Sequence, residues 1–192
     1  MAITLDGTSG INTSGTLVAT GSLTTSSSLT TGTGAVYNGL QASTAQATTS
    51  GTSITFSSIP SWVKRISVMF NGVSTSGTSS ILVQIGAASV ETTGYNSSSG
   101  FLNSGVSQNG TSSTAGFIIS TLGASDTKSG IMTIANISGS TWIASGTFKA
   151  TAAYTTWMAG DKAITGTLAT LAITTVNGTD TFDAGSINIL YE

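Results

Sequence analysis

Cysteine and histidine are both missing from this chain of 192 residues, proline occurs once, and only 6% of the residues carry a charge. Each absence closes a class of chemistry. Without cysteine there are no disulfides and no thiolate metal sites, and the redox compartment leaves no trace. Without histidine a Ser or Thr nucleophile lacks its usual general base, so hydrolytic triads fail and the many hydroxyls are read as structural. Phosphate-cradling loops and G-x-S-x-G elbows are absent as well. No catalytic residue, cofactor or resident metal is expected. The five basic residues, Lys64, Arg65, Lys128, Lys149 and Lys162, are scattered, and the formal net charge is -2. Displacing phosphate counterions needs a basic patch, so nucleic acid is not an expected partner. No stretch approaches the about 20 apolar residues that cross a bilayer, and the amino terminus lacks the basic start and apolar run of a signal peptide. A soluble protein made in a cytoplasm, without membrane insertion, is the expectation.

Ser and Thr supply about a third of the chain, with 24 glycines and a hydrophobic fraction of 39%. That apolar content, regularly spaced, is too high for low-complexity disorder. Thr, Val and Ile favour the pleated strand, Gly and Asn mark turns, and helix-favouring Lys and Glu are nearly absent. The fold class expected is all-β.

Leu5, Ile11, Leu17, Leu23 and Leu29 stand six residues apart, with Ile3 in the same phase, and the residues between them are almost all Thr, Ser and Gly. Six is a multiple of the strand period, so these side chains share one face of an extended chain. One ribbon with a single aliphatic per six residues closes no core of its own. Copies must supply the other walls, and three chains are the smallest set that encloses an axis. Residues 1–50 are therefore expected to be an extended stem, a trimeric β-rich anchor, ending in a linker or loosely ordered crossing of small polar residues from Asn38 to Ser53.

From Ile54 onward the pattern changes to short strands punctuated by turns. Strands are expected at 53–56, 62–70, 81–85, 116–121, 130–136, 141–150, 168–176 and 186–192. Trp62, Ile66, Val68 and Phe70 share a face, as do Ile81, Val83 and Ile85, and then Ile187, Ile189 and Tyr191. Asn71-Gly72 and Asn177-Gly178 read as tight turns, and Ser76-Gly77 as a loop tip. Eight short strands over residues 51–192 argue for a jelly-roll-like β-sandwich head.

Of the seven acids only Asp180 and Asp183 are near neighbours; they read as turn and edge residues, with a calcium site as the alternative. Asp126 with Lys128, and Asp161 with Lys162, read as exposed loop charge of little energetic weight. Trp62 and Trp142 fall where core rings are expected. Tyr95 and Phe101 flank a Ser-rich loop, and Tyr154 and Trp157 fall in another loop, so these four rings are the candidate binding surface.

The segment Ile59-Pro60-Ser61-Trp62-Val63-Lys64-Arg65-Ile66-Ser67-Val68-Met69-Phe70-Asn71-Gly72-Val73-Ser74-Thr75-Ser76-Gly77, with Glu91-Thr92-Thr93-Gly94-Tyr95 and the closing Phe182-Asp183-Ala184-Gly185-Ser186-Ile187-Asn188-Ile189-Leu190-Tyr191-Glu192, resembles the module at the carboxyl end of many bacteriophage tail-fibre and related virion proteins. The resemblance covers residues 52 to 192, and the opening Met1-Ala2-Ile3-Thr4-Leu5-Asp6-Gly7 is similar to amino termini of short phage fibres. It implies a homotrimer on the virion, assembled in the host bacterial cytoplasm, anchored to other virion proteins by residues 1–50 and presenting its head to host cell-surface glycan or receptor. It brings no catalytic residues. A capsid decoration protein with a purely structural role is the alternative. A polysaccharide depolymerase is disfavoured by the scarcity of paired acids.

Overall fold

The computed structural model describes residues 29–30, 36–37, 39–103, 108–150 and 154–192. Ile3, Leu5, Ile11, Leu17 and Leu23 of the expected anchor lie outside them. The chain divides into two compact units, Met1–Asn38 and Gly39–Glu192. In the first, β1 (Leu29–Thr30) pairs antiparallel with β2 (Val36–Tyr37), with Leu29 opposite Tyr37.

The second unit contains β3 (Gln41–Ala42), β4 (Gln46–Ala47), β5 (Ile54–Phe56), β6 (Arg65–Thr75), β7 (Ile81–Gly86), β8 (Tyr95–Asn103) and β9 (Gln108–Ser113). They are followed by β10 (Phe117–Ile119), β11 (Lys128–Ser138), β12 (Thr141–Lys149), β13 (Tyr154–Ala163), β14 (Thr170–Thr175) and β15 (Phe182–Tyr191). No helix occurs among the described residues. All pairings are antiparallel. A large sheet runs β3-β15-β6-β11-β12-β13-β8-β9, with β4 also on β15, and a smaller one runs β10-β7-β14-β5.

Strand alternation builds the core. Ile66, Val68 and Phe70 of β6, Met132 and Ile134 of β11, Phe148 of β12, and Ile187 and Ile189 of β15 share one buried cluster with Ile81, Val83, Ile85, Phe117, Leu171 and Ile173 of the smaller sheet. The two sheets therefore pack face to face, each hiding the apolar face of the other. Phe70 meets Phe148 edge to face at 5.2 Å, and Tyr95 meets Phe117 likewise at 5.0 Å. At the free side of β10 the amides of Ile118 and Ser120 donate to the hydroxyls of Ser97 and Ser99 on β8, at 3.0 and 3.1 Å. Side-chain oxygens thus close a seam where backbone partners end.

Four expectations are corrected. Asn71-Gly72 is no turn: β6 continues to Thr75, and the pairings to both β11 and β15 shift there. Gly72 has φ 64° and faces Gly185 at φ 92°, where a Cβ would stand 2.5 Å from the Gly72 carbonyl carbon. The extra residue of a bulge moves the inward phase from Ile66, Val68 and Phe70 to Val73 and Thr75, all buried. The segments holding Tyr95 to Phe101 and Tyr154 to Trp157 are not loops but β8 and β13. Serine occupies the inward sites 97 and 99 of β8, so the apolar alternation that announces a strand is missing. Finally, the 38–53 stretch is no free linker: β3 and β4 pair with β15, and the Thr48 hydroxyl donates to the Ala184 carbonyl at 2.6 Å. Asn177-Gly178 does form a turn, with Gly178 at φ 67° donating to Thr175 O.

Candidate functional site

The four candidate rings separate by strand parity. Tyr95 on β8 is 2% exposed, and its hydroxyl is locked to the backbone of Ile85, accepting from its amide at 2.7 Å and donating to its carbonyl at 3.1 Å. Phe101 (7% exposed) and Tyr154 (9%) form a second small cluster with Ala150, their rings 5.8 Å apart. These three point inward because each sits at an inward site of its strand; their assignment to a surface is corrected. Trp157 takes the opposite parity on β13 and is 45% exposed.

The register sets its surroundings. Trp157 stands opposite Thr147 on β12 and Gly100 on β8, Thr147 opposite Ile131, and Ile131 opposite Met69. A row of Met69, Ile131, Thr147 and Trp157 therefore crosses the outer face of the large sheet. On that face Ile131, Ile143, Leu102 and Trp157 are exposed large apolar side chains. Between them stand Ser98, Ser145, Thr155 and Ala159, all exposed. Among the described residues, charge on this face stands at Lys149, opposite Thr155, at Asp161, whose carboxylate accepts from the Asn96 amide at 2.9 Å, and farther off at Arg65, which pairs with Glu192. The Ser99 hydroxyl, from the inner side, donates to the Trp157 carbonyl at 2.9 Å and fixes the strand beneath the ring. Such a face can hold a ligand by stacking and by neutral hydrogen bonds.

No family model, curated protein or solved structure matches this chain.

Two lysines expected in exposed loops are inside the head. Lys128 is 0% exposed, its ammonium 2.5 Å from the Asp126 carboxylate and 3.1 Å from the Tyr154 hydroxyl. Asp126 is also buried and accepts from the Leu122 amide. Burial pulls the Lys128 amine below the usual lysine range, against the opposing pull of Asp126. Lys162 pairs not with neighbouring Asp161 but with Glu91, at 2.5 Å, and lies over the Tyr95 ring at 5.3 Å. The Lys162 ammonium, joined by the Thr165 hydroxyl and amide, holds the Glu91 carboxyl down at about 2. Burial pushes the Tyr95 phenol up. Parity was the available signal: Tyr154, Met158 and Lys162 are in phase, so reading this segment as a strand sends Lys162 inward. For Lys128, two residues from its acid, the sequence offers no comparable cue.

Asp180 serves a turn, and Asp183 ties β15 to β6. Asp180 accepts from the Ser79 amide at 3.0 Å and from Asn177 at 2.7 Å, while Asp183 accepts from the Ser74 hydroxyl. Among the described residues no group of three or more acids is close enough to hold a metal ion. Concavities lie elsewhere on the described surface. An open trough of about 440 Å³ on the outer face of the small sheet is lined by Ser53, Thr55, Ser57, Gln84, Thr170 and Thr174 without any ring or charge. A smaller one, about 190 Å³, lies beside Trp142 and Lys64.

Proposed function

We propose that the chain is a short homotrimeric bacteriophage fibre subunit carried on the virion, anchored by residues 1–50 and presenting a jelly-roll-like head that binds host surface glycan or receptor. The observation that carries this reading is the outer face of the large sheet, which is poor in charge and bears the half-exposed Trp157. A half-exposed indole on the same face as exposed Ile131 and Leu102 suits a recognition surface. The resembling segments support it, since they supply β6 and β15, the scaffold on which that face is built. Weak binding by one head is multiplied when three stand on one stem and many stems on one particle. The six-residue spacing of Leu and Ile gives the stem its reason to associate, because each stripe needs neighbours to cover it.

Adsorption of purified full-length protein to host cells, alongside light scattering, tests the proposal. Trimers that adsorb support it, and a monomer, or a trimer that never adsorbs, overturns it. Leu17→Asp with Leu23→Asp removes the protein from particles while the head keeps its strand signal in circular dichroism. Labelling of intact particles separates a fibre from a decoration protein: accessible heads at an outer tip fit the first, and heads laid between shell subunits fit the second.

A further inference from the structure

Gly100 and Gly110 stand opposite each other on β8 and β9, in the row that begins at Trp157. For two strands beyond the ring the sheet therefore carries no side chain in that row. A Cβ placed on Gly100 would lie 3.1 Å from Cε2, 3.1 Å from Cζ2 and 3.2 Å from Nε1 of Trp157. Near-equal distances to three consecutive atoms mean that the glycine meets the face of the indole more than its rim. The ring is laid over onto the bare backbone, Gly100 is buried beneath it, and the other face turns to solvent. Among the described residues a Cβ on Gly110 would meet the Ser99 carbonyl alone, at 3.9 Å, and Gly110 itself is exposed.

Covering a cross-strand glycine with an aromatic ring is a known way to mend a sheet, and it accounts for the contact. It does not account for the neutral rim of Ser98, Ser145, Thr147 and Thr155. A ligand suited to both features has one apolar face and a neutral hydroxyl edge. A pyranose has them: its C–H face stacks on a ring, and its equatorial hydroxyls exchange hydrogen bonds with Ser and Thr, which donate and accept alike. A purely aromatic ligand leaves the hydroxyls unused, and an acidic sugar finds only Lys149 for its charge. We infer that the outer face of Trp157 is a stacking platform for a neutral hexopyranose, and that Gly100 is the positioning residue that keeps the ring flat. This rests on the reading of the face as a recognition surface.

The test is an array of neutral oligosaccharides (glucans, galactans, mannans) and acidic ones (sialylated and uronate-containing chains), probed with full-length protein. Wild type binds neutral hexose chains. Trp157→Ala weakens binding about tenfold or more, the scale of a stacked anchor, and Trp157→Phe weakens it less because a ring remains. Gly100→Val keeps the tryptophan and suits a strand, yet it weakens binding several-fold by lifting the ring. Melting curves taken on the same samples confine the comparison to folded protein. Retention of acidic chains alone, a blank array, or a Trp157→Ala variant that binds as wild type overturns the inference. Wild-type affinity in Gly100→Val overturns the part assigned to Gly100. If cells adsorb the protein through Trp157 while the array stays blank, the function stands and this inference falls. If the array gives the expected pattern but particles lack the protein, the inference stands and the fibre reading falls.

Discussion

Two lysines point into the sandwich, Lys128 from the start of β11 and Lys162 from the end of β13, and they are held differently. Lys128 is covered completely and finds its acid two residues away, with the Tyr154 hydroxyl as a second partner. Lys162 lies at the rim, in the row of Trp142 and Tyr95, and its acid comes from Glu91, seventy-one positions earlier, whose side chain is still 23% exposed. An ion pair sealed from water is costly to make and more costly to break, because the survivor has nowhere to go. At the rim the survivor can rehydrate. Lys162 thereby joins the Glu91 segment to β13 across the sandwich, while the short-range Lys128 pair ties its own turn to Tyr154.

The largest effect is expected at the sealed pair. Lys128→Ala removes the counter-charge of a buried carboxylate and lowers unfolding free energy by about 3–5 kcal/mol in denaturant melts of the full chain; a loss below that of Lys162→Ala would invert the comparison. Lys162→Ala leaves Glu91 to water and costs about 1–2 kcal/mol. Acid separates the pairs further. The folded carboxyl of Glu91 titrates at about 2, below its unfolded value, so its contribution is complete above about pH 4.5. As pH falls from there toward 2, about 1 kcal/mol is lost, an amount held down by solvent screening. The thermal midpoint measured across that window should fall more in wild type than in Lys162→Ala, which has already lost the pair. Smallest of all, Asp161→Asn on the outer face is expected to shift stability by less than about 0.5 kcal/mol, since its one bond is to exposed Asn96. A larger loss would mean that Lys162 reaches the adjacent acid in solution.

Much of the fold was legible because apolar alternation announces itself. The inward faces of β6, β7 and β15 can be read directly from Ile66 to Phe70, from Ile81 to Ile85 and from Ile187 to Ile189. Legibility ended where polar residues occupied inward sites. Ser97 and Ser99 bond to β10, Thr156 and Lys162 share the inner side of β13 with Met158, and without an apolar beat both strands looked like loops. Local turn chemistry misled at Asn71-Gly72 because positive φ serves a bulge as readily as a hairpin. Trp157 is one of four rings that the sequence offers for a surface, and the glycine that sets its posture lies fifty-seven residues away and is visible only through the register of β8 against β13.

The serine seam at β10 bears on how such a head survives crowding. A strand that ends a sheet with free amides is a template for a foreign chain, and proteins commonly defend it with lysine or proline. This chain has few of either. Ser97 and Ser99 occupy the amides of Ile118 and Ser120 from within the same molecule, so that boundary is closed to recruitment without adding charge. Exchange of those two amide hydrogens then requires the sheets to part, and their protection should report the opening of the whole sandwich rather than fraying of one strand.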